Sequence, residues 1–216
     1  MTNTPAMNRS SWHGTLPSAG DFLQRRFPDT LQRQWSHWFQ VGLLAWQQEE
    51  QRSGERQFTK APVWNFVVPP MLGSQMIQMG CLLPGRDSVG RHYPVCIQLS
   101  FSPAEWSSRL LGQAESWYQQ LGRLGLHAVR NGFSASQLDE MLMSIPAPQP
   151  VEPQKRSDIL DVIGYDDDGQ STLGWPQAAE CFDPLRQTSF WWTNRCDGYP
   201  LYTHVHSGNF TGQLFT

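Results

Sequence analysis

Three runs rich in β-branched and other apolar residues, 63–68, 76–83 and 95–101, follow one another with short connections punctuated by Pro-Pro, Gly and Pro-Gly. Connections this brief do not accommodate a crossover helix, so neighbouring strands are expected to pair antiparallel as a meander. A further short alternating segment, 12–16, precedes the turn chemistry of 17–21. Two late runs, Ser-Phe-Trp-Trp-Thr at 189–193 and 201–205, have the same strand-like character.

Helical patterns surround these runs. From Pro28 onward Leu31, Trp35, Trp38, Phe39 and Trp46 recur at spacings of three, four and seven among polar residues, which predicts an amphipathic helix ending near Gly54. Its indole-rich stripe is read as packing on the sheet and not as a row facing a ligand. Ser102-Pro103-Ala104-Glu105 reads as a helix start, with an N-cap serine, a proline at the first helical position and a glutamate three residues after the cap. Trp106, Leu110, Ala114, Trp117, Leu121 and Leu124 continue one face of that helix, and a shorter helix is expected from Ser136 through Met141 and Leu142. Four prolines between 146 and 155 mark a Pro-rich loop at 146–156. The roughly 60 residues beyond it are too few to be stable alone, so their strands are expected to complete the first sheet. The expected organisation is a flexible N-terminal tail, 1–11, and a single domain, 12–216. No internal repeat is present, and nothing in the sequence fixes an oligomeric state.

Composition narrows the function classes. With 39% hydrophobic residues, 10 Trp and 11 Phe in 216 residues, the chain has apolar bulk enough to offset its conformational entropy. Sixteen Lys and Arg against 19 Asp and Glu give a net charge of −3, which supplies no basic field for a nucleic-acid backbone. The N-terminus lacks the charged start and apolar core of a secretory signal. No apolar stretch approaches the roughly 20 residues that span a bilayer. Cys81, Cys96, Cys181 and Cys196 are scattered in apolar surroundings, which suits reduced, buried thiols. A cytoplasmic location without direct membrane insertion is the expectation.

Several segments imitate catalytic or binding motifs. Gly85 to Gly90 has the glycine spacing of a phosphate-binding loop, but Arg91 and His92 stand where Lys and Ser or Thr belong, and Tyr93-Pro94 leads into a strand. A hairpin loop is the expected reading. Cys181, Cys196, His204 and His206 are soft or borderline ligand types, yet their spacing is irregular and contains no Cys-x-x-Cys. Asp166-Asp167-Asp168-Gly169 opens like a calcium loop, but Gln177 falls where the bidentate glutamate is required. No serine lies in a Gly-x-Ser-x-Gly elbow. The sequence therefore points to no catalytic residue, cofactor or metal. The two remaining alternatives are a metal-dependent hydrolase using His204, His206 and nearby cysteines, and a small-ligand-binding module.

Three ordered stretches resemble one family. Trp12-His13-Gly14-Thr15-Leu16-Pro17-Ser18-Ala19-Gly20-Asp21-Phe22, followed by Arg25 or Arg26, resembles the opening Gly-x-Leu-Pro-x-x-Gly-Asp-Phe signature of the TagF (ImpM) proteins of bacterial type VI secretion. Ala61-Pro62-Val63-Trp64-Asn65-Phe66 is similar to that family's Ala-Pro-x-Trp-x-Phe strand, with Asn65 where arginine is common. Leu83 through Pro94 is similar to its Pro-Ser-x-Asp-x-Val-Gly-Arg-x-Phe-Pro segment, with Gly85 for serine and Tyr93 for Phe. Ser189-Phe190-Trp191-Trp192 and the closing Phe210 to Phe215 are also similar to the family's C-terminal part.

The resemblance implies an α+β fold, an α/β/α sandwich whose central, mainly antiparallel sheet has helices packed on both faces. It also implies a non-enzymatic, post-translational repressor of type VI secretion that binds the system's forkhead-associated (FHA) scaffold protein. Without the paired-aspartate metal motifs of the phosphatase fused to some relatives, the chain would be the stand-alone form. From the residues themselves, Gly20, Asp21 and Arg25 form one polar loop, and Arg86, Asp87, Gly90 and Arg91 another; with Trp64 they are the candidate partner-binding or family-motif residues. Either these charges face a partner, or Asp21 with Arg91, or Asp87 with Arg86, pair merely to hold the loops.

Overall fold

The structure, a computed structural model, describes residues 9–53, 58–71, 74–149, 179–195 and 202–207. Its elements are β1 (Ser11–Gly14), β2 (Leu23–Arg25), α1 (Asp29–Ser53), a single 3-10 turn (Phe58–Lys60), β3 (Trp64–Val68), β4 (Ile77–Leu83), β5 (Val95–Phe101), α2 (Ser108–Gly112), α3 (Glu115–Arg130), α4 (Ala135–Ser144), β6 (Thr188–Thr193) and β7 (Thr203–Ser207). Among the described residues the strands form one seven-stranded sheet in the order β2-β1-β5-β4-β3-β6-β7, with every pairing antiparallel. The chain is thus a mixed α+β protein.

The expected meander is the centre of this sheet. Phe66 of β3 lies opposite Gly80 of β4, and Cys81 of β4 lies opposite Ile97 of β5. The late strands join as expected: Trp191 of β6 pairs with Phe66, and His204 of β7 pairs with Trp191. At the other end β1 starts at Ser11, opposite Gln98, so the last residue of the expected tail is already in the sheet, while Thr15 and Leu16 lie beyond the strand. The three-residue β2 has no alternating pattern of its own and is held by its pairing with β1. Residues 150–156 of the Pro-rich segment, the Asp166–Gly169 run, Cys196 and residues 210–215 lie outside the described residues.

Two buried clusters flank the strands. Along β4, Ile77, Met79, Cys81 and Leu83 belong to one cluster with Trp117, Tyr118, Leu121 and Leu138 of α3 and α4. Leu82, Cys96, Phe66 and Trp191 belong to the other, with Leu31, Trp35, Trp38 and Phe39 of α1. This alternation is the period of two by which a strand sends successive side chains to opposite sides. The indole stripe of α1 accordingly packs on the sheet: Trp35 lies tilted against Phe66 at 4.9 Å between ring centroids, and its Nε1 donates to Gln78 Oε1 at 2.7 Å. Burying large aromatics is worth about 1.5–3 kcal/mol each before entropy is charged against it, which makes this stripe a core element.

The helix expected to start at Ser102 does not form there. Ser102 N and Oγ both donate to the Glu105 carboxylate, at 3.0 and 2.9 Å, and Glu105 N donates back to Ser102 O. These bonds close one turn; Trp106 then packs edge-on against Phe101 and Phe182. The helix begins only at Ser108, capped by Ser107 Oγ, which accepts from Arg109 N. The pattern of apolar residues continues through a break at Gln113 and Ala114 into α3. By contrast, α4 starts one residue before its expected position with a complete capping box between Ser134 and Gln137. The cysteine expectation also needs correction: Cys81 and Cys96 are buried and outside any disulfide, whereas Cys181 is exposed and the following Phe182 is the buried residue. Among the described residues, no helix is long and apolar enough to cross a membrane.

Candidate functional site

The antiparallel pairings bring the ends of β1 and β4 and the start of β5 to one end of the sheet, so the loops 15–22 and 84–94 lie side by side there. Backbone contacts join them directly. Ser88 N donates to Ala19 O at 2.9 Å, and Thr15 Oγ1 donates to Tyr93 O at 3.1 Å. A side chain on Gly20 would meet Ser88 Oγ at 3.3 Å, a tight contact across the two loops.

Loop 84–94 is a hairpin and not a phosphate cradle. An isolated bridge pairs Arg86 with His92, and Tyr93 N donates to Gly85 O. At its centre Asp87 is only 3% exposed. Its Oδ1 accepts from Val89 N at 3.0 Å and Arg91 N at 2.8 Å, while its Oδ2 accepts from Arg91 Nε at 2.6 Å. Gly90 completes the reversal at φ 91°, a left-handed conformation that costs a side-chain-bearing residue energy. Burial works to raise the Asp87 pKa, but the Arg91 side chain and the amides of Arg91 and Val89 outweigh it and hold the carboxyl below its ordinary value.

Arg91 also joins the two loops, because its Nη2 donates to Gly20 O at 2.7 Å. The charges therefore pair differently from expectation. Asp87 takes Arg91, four residues on, instead of Arg86, and Arg91 reaches a backbone carbonyl of the first loop instead of the Asp21 side chain. Asp21, Arg86 and Arg91 are exposed.

Arg25 lies away from this pair of loops, at the far end of β2 opposite Trp12, with its guanidinium donating to Gln24 O. The family-motif arginine with a structural task is Arg26, at φ 55°, which donates to Ser10 O and to both oxygens of Asp139 in α4. Asp139 also accepts from Trp12 Nε1. Trp64 begins β3 opposite Leu82, at the same sheet end as the loops, and is half-buried against the α1 cluster. Two apolar members of the loops carry no signal of exposure in the sequence: Val89 is 70% exposed, and Phe22 is 39% exposed while packing edge-on to Tyr93 at 4.9 Å.

Next to the first loop, His13 is wholly buried among Phe22, Phe27 and Phe39. Neither ring nitrogen has a hydrogen-bond partner among the described residues, and burial pulls its pKa down to about 3. It is a neutral core histidine. His204 and His206 sit on β7, opposite Trp191 and Ser189. Among the described residues no three His, Cys, Asp or Glu gather as metal ligands.

The TagF N-terminal domain, described as type VI secretion system-associated, is a family whose profile matches residues 11–145. That span contains both loops and every element from β1 to α4. No curated protein matches the chain. Among solved structures, that of PA0076 from Pseudomonas aeruginosa PAO1 is similar, with a TM-score of 0.70 at 21% identity over 96% of this chain and 94% of that one. At that identity the likeness concerns the fold.

Proposed function

We propose that this chain, which belongs to the TagF family of type VI secretion system-associated proteins, is a non-enzymatic, post-translational repressor of type VI secretion. It acts in the cytoplasm by binding the FHA-domain scaffold protein of the system. The contact surface is the loop pair at the end of the sheet, with Asp21, Arg86 and Arg91 facing the partner, Gly20, Asp87 and Gly90 shaping the loops, and Trp64 and Arg25 as neighbouring motif residues. The supporting observation is that the family match spans two loops joined to each other by Arg91, which Asp87 holds in place, and by Ser88, while charged and apolar side chains at their tips remain exposed. Such geometry suits recognition, because loops on a rigid scaffold lose little entropy on docking.

This reading includes a single domain over 12–216 and helices on both sides of the sheet. The alternation of strand residues between the cluster of α1 and the cluster of α2 to α4 supports that layering. The test is affinity purification of the tagged chain from a host with an active type VI system, together with secretion measured on overproduction. Co-purification of the scaffold and reduced secretion are expected. A folded chain that neither retains the scaffold nor lowers secretion would overturn the proposal.

A further inference from the structure

We propose that β7 is a self-complementary edge, on which a second copy of this chain pairs antiparallel through its own β7 about a two-fold axis at Val205, joining the two sheets into one.

Among the described residues the seven-stranded sheet ends at β2 on one side and at β7 on the other. A sheet edge presents a row of N–H and C=O groups that can pair with another extended chain, and folded proteins ordinarily blunt it by shortness, charge, proline or a local twist. The β2 edge is blunted: it is three residues long, it carries the exposed Arg25, and the chain leaves it through Arg26 at φ 55°. None of these devices protects β7. It runs for five residues, and positions 201–207 hold no Lys, Arg, Asp, Glu or Pro. Thr203, Val205 and Ser207 are exposed although each lies in the sheet, and Val205 leaves 58% of its surface to water.

The sequence of the strand favours a second copy over other occupants. Thr-His-Val-His-Ser reads nearly the same in both directions, and a two-fold antiparallel pair sets each residue opposite its mirror position. With the axis at Val205, that residue faces Val205 of the second copy, Thr203 faces Ser207, and His204 lies opposite His206. This register pairs a β-branched residue with itself and a hydroxyl with a hydroxyl, combinations that stabilise antiparallel strands. Moving the axis to His204 or His206 leaves only three of the five residues paired and sets Val205 against Thr203 or Ser207.

Within each chain Val205 lies opposite the half-buried Phe190, which packs against the cluster of α3 and α4. The pairing therefore places each Val205 between Phe190 and its own counterpart, and extends that apolar face of the sheet across the axis. Five residues of strand span about 17 Å, which puts the contact at the small end of specific interfaces. The dimer accordingly forms at micromolar concentration and dissociates on dilution.

Sedimentation velocity of the purified chain from roughly 1 to 200 μM tests the proposal. The mass is expected to rise from 24.6 kDa towards twice that value. Val205→Lys sets two like charges opposite each other at the axis and should weaken the dimer by about tenfold or more. Its thermal melt should match that of the parent, because the side chain is exposed in the single chain. A second variant reads the register directly. In a background with Cys181→Ser and Cys196→Ser, Val205→Cys should link to itself under an added oxidant, since directly opposite strand positions stand at disulfide distance. Thr203→Cys in the same background should not, because its counterpart lies four residues further along the strand pair.

A mass of 24.6 kDa at every concentration overturns the proposal. So does a dimer that Val205→Lys leaves intact, since it forms through another surface. Linking by Thr203→Cys and not by Val205→Cys overturns the axis at Val205. The scaffold-binding reading is independent of each of these results.

Discussion

Replacing Gly122 with alanine, in the middle of α3, sets two effects of opposite sign against each other. In a helix interior alanine is favoured over glycine by about 1 kcal/mol. A Cβ at this position, however, falls on the Asn194 amide, 2.5 Å from its Cγ and closer still to Nδ2. Asn194 cannot swing aside cheaply, since Nδ2 donates to Tyr118 O at 2.7 Å and to Asn65 Oδ1 at 3.1 Å while its backbone N donates to Val63 O at 2.7 Å. Displacing the side chain takes the buried Nδ2 donor from both acceptors and leaves Asn65 Oδ1 without that donor, while Tyr118 O keeps its helical bond; the two disturbed side-chain groups cost about 1–3 kcal/mol each. The net expectation is a loss of roughly 2–4 kcal/mol, or about 5–12 °C in Tm for a chain of this size. Urea unfolding followed by circular dichroism measures it by linear extrapolation. In an Asn194→Ala background the obstruction is gone, so Gly122→Ala should there become neutral or stabilising, and the double-mutant cycle should show strong coupling. A Gly122→Ala chain as stable as the parent would refute this reasoning.

Two further substitutions probe the region around the loops. His13 binds its proton more weakly in the folded chain, at about 3 against an ordinary 6.5, so below pH 6.5 the unfolded state holds more protons and stability falls as pH drops towards 3, by at most roughly 5 kcal/mol. His13→Leu should remove that part of the acid sensitivity in unfolding curves measured between pH 7 and 4, and an unchanged slope would contradict the assignment. Asp87, whose carboxyl is held low, stabilises its loop above the ordinary carboxylate value, and that contribution is lost as pH falls through its lowered pKa. Asp87→Asn should release the Arg91 side chain and raise the exchange rates of the Val89 and Arg91 amides by about tenfold or more, and rates equal to those of the parent would show that the carboxylate does not hold the loop.

What the sequence disclosed followed from patterns with one structural solution. The runs at 63–68, 76–83 and 95–101 had too little chain between them for a crossover, and 189–193 had no other core to join, so the centre of the sheet was readable. The stripe from Leu31 to Trp46 was readable because its period exposes only one face to the strands. Ser102 to Glu105 misled because the same side-chain bonds that cap a helix also close an isolated turn, and the packing of Trp106 against Phe101 and Phe182 decides between them. The short β2 was hidden because pairing with β1, and not its own residues, makes Leu23 to Arg25 a strand.

At the candidate site the sequence located both loops but not their pairing. Asp87 reaches Arg91 only because Gly90 turns the chain at positive φ, and Arg26 instead of Arg25 reaches Asp139 because its own φ is positive. The exposure of Val89 is a property of the folded loop, with no trace in composition or spacing.

The most direct test of the proposed scaffold-binding role is size-exclusion chromatography with light scattering on a mixture of the purified chain and the FHA-domain scaffold protein of a type VI secretion system. The two are expected to co-elute as a complex of defined stoichiometry. Two separate peaks at the masses of the free proteins, from a chain shown to be folded, would contradict it.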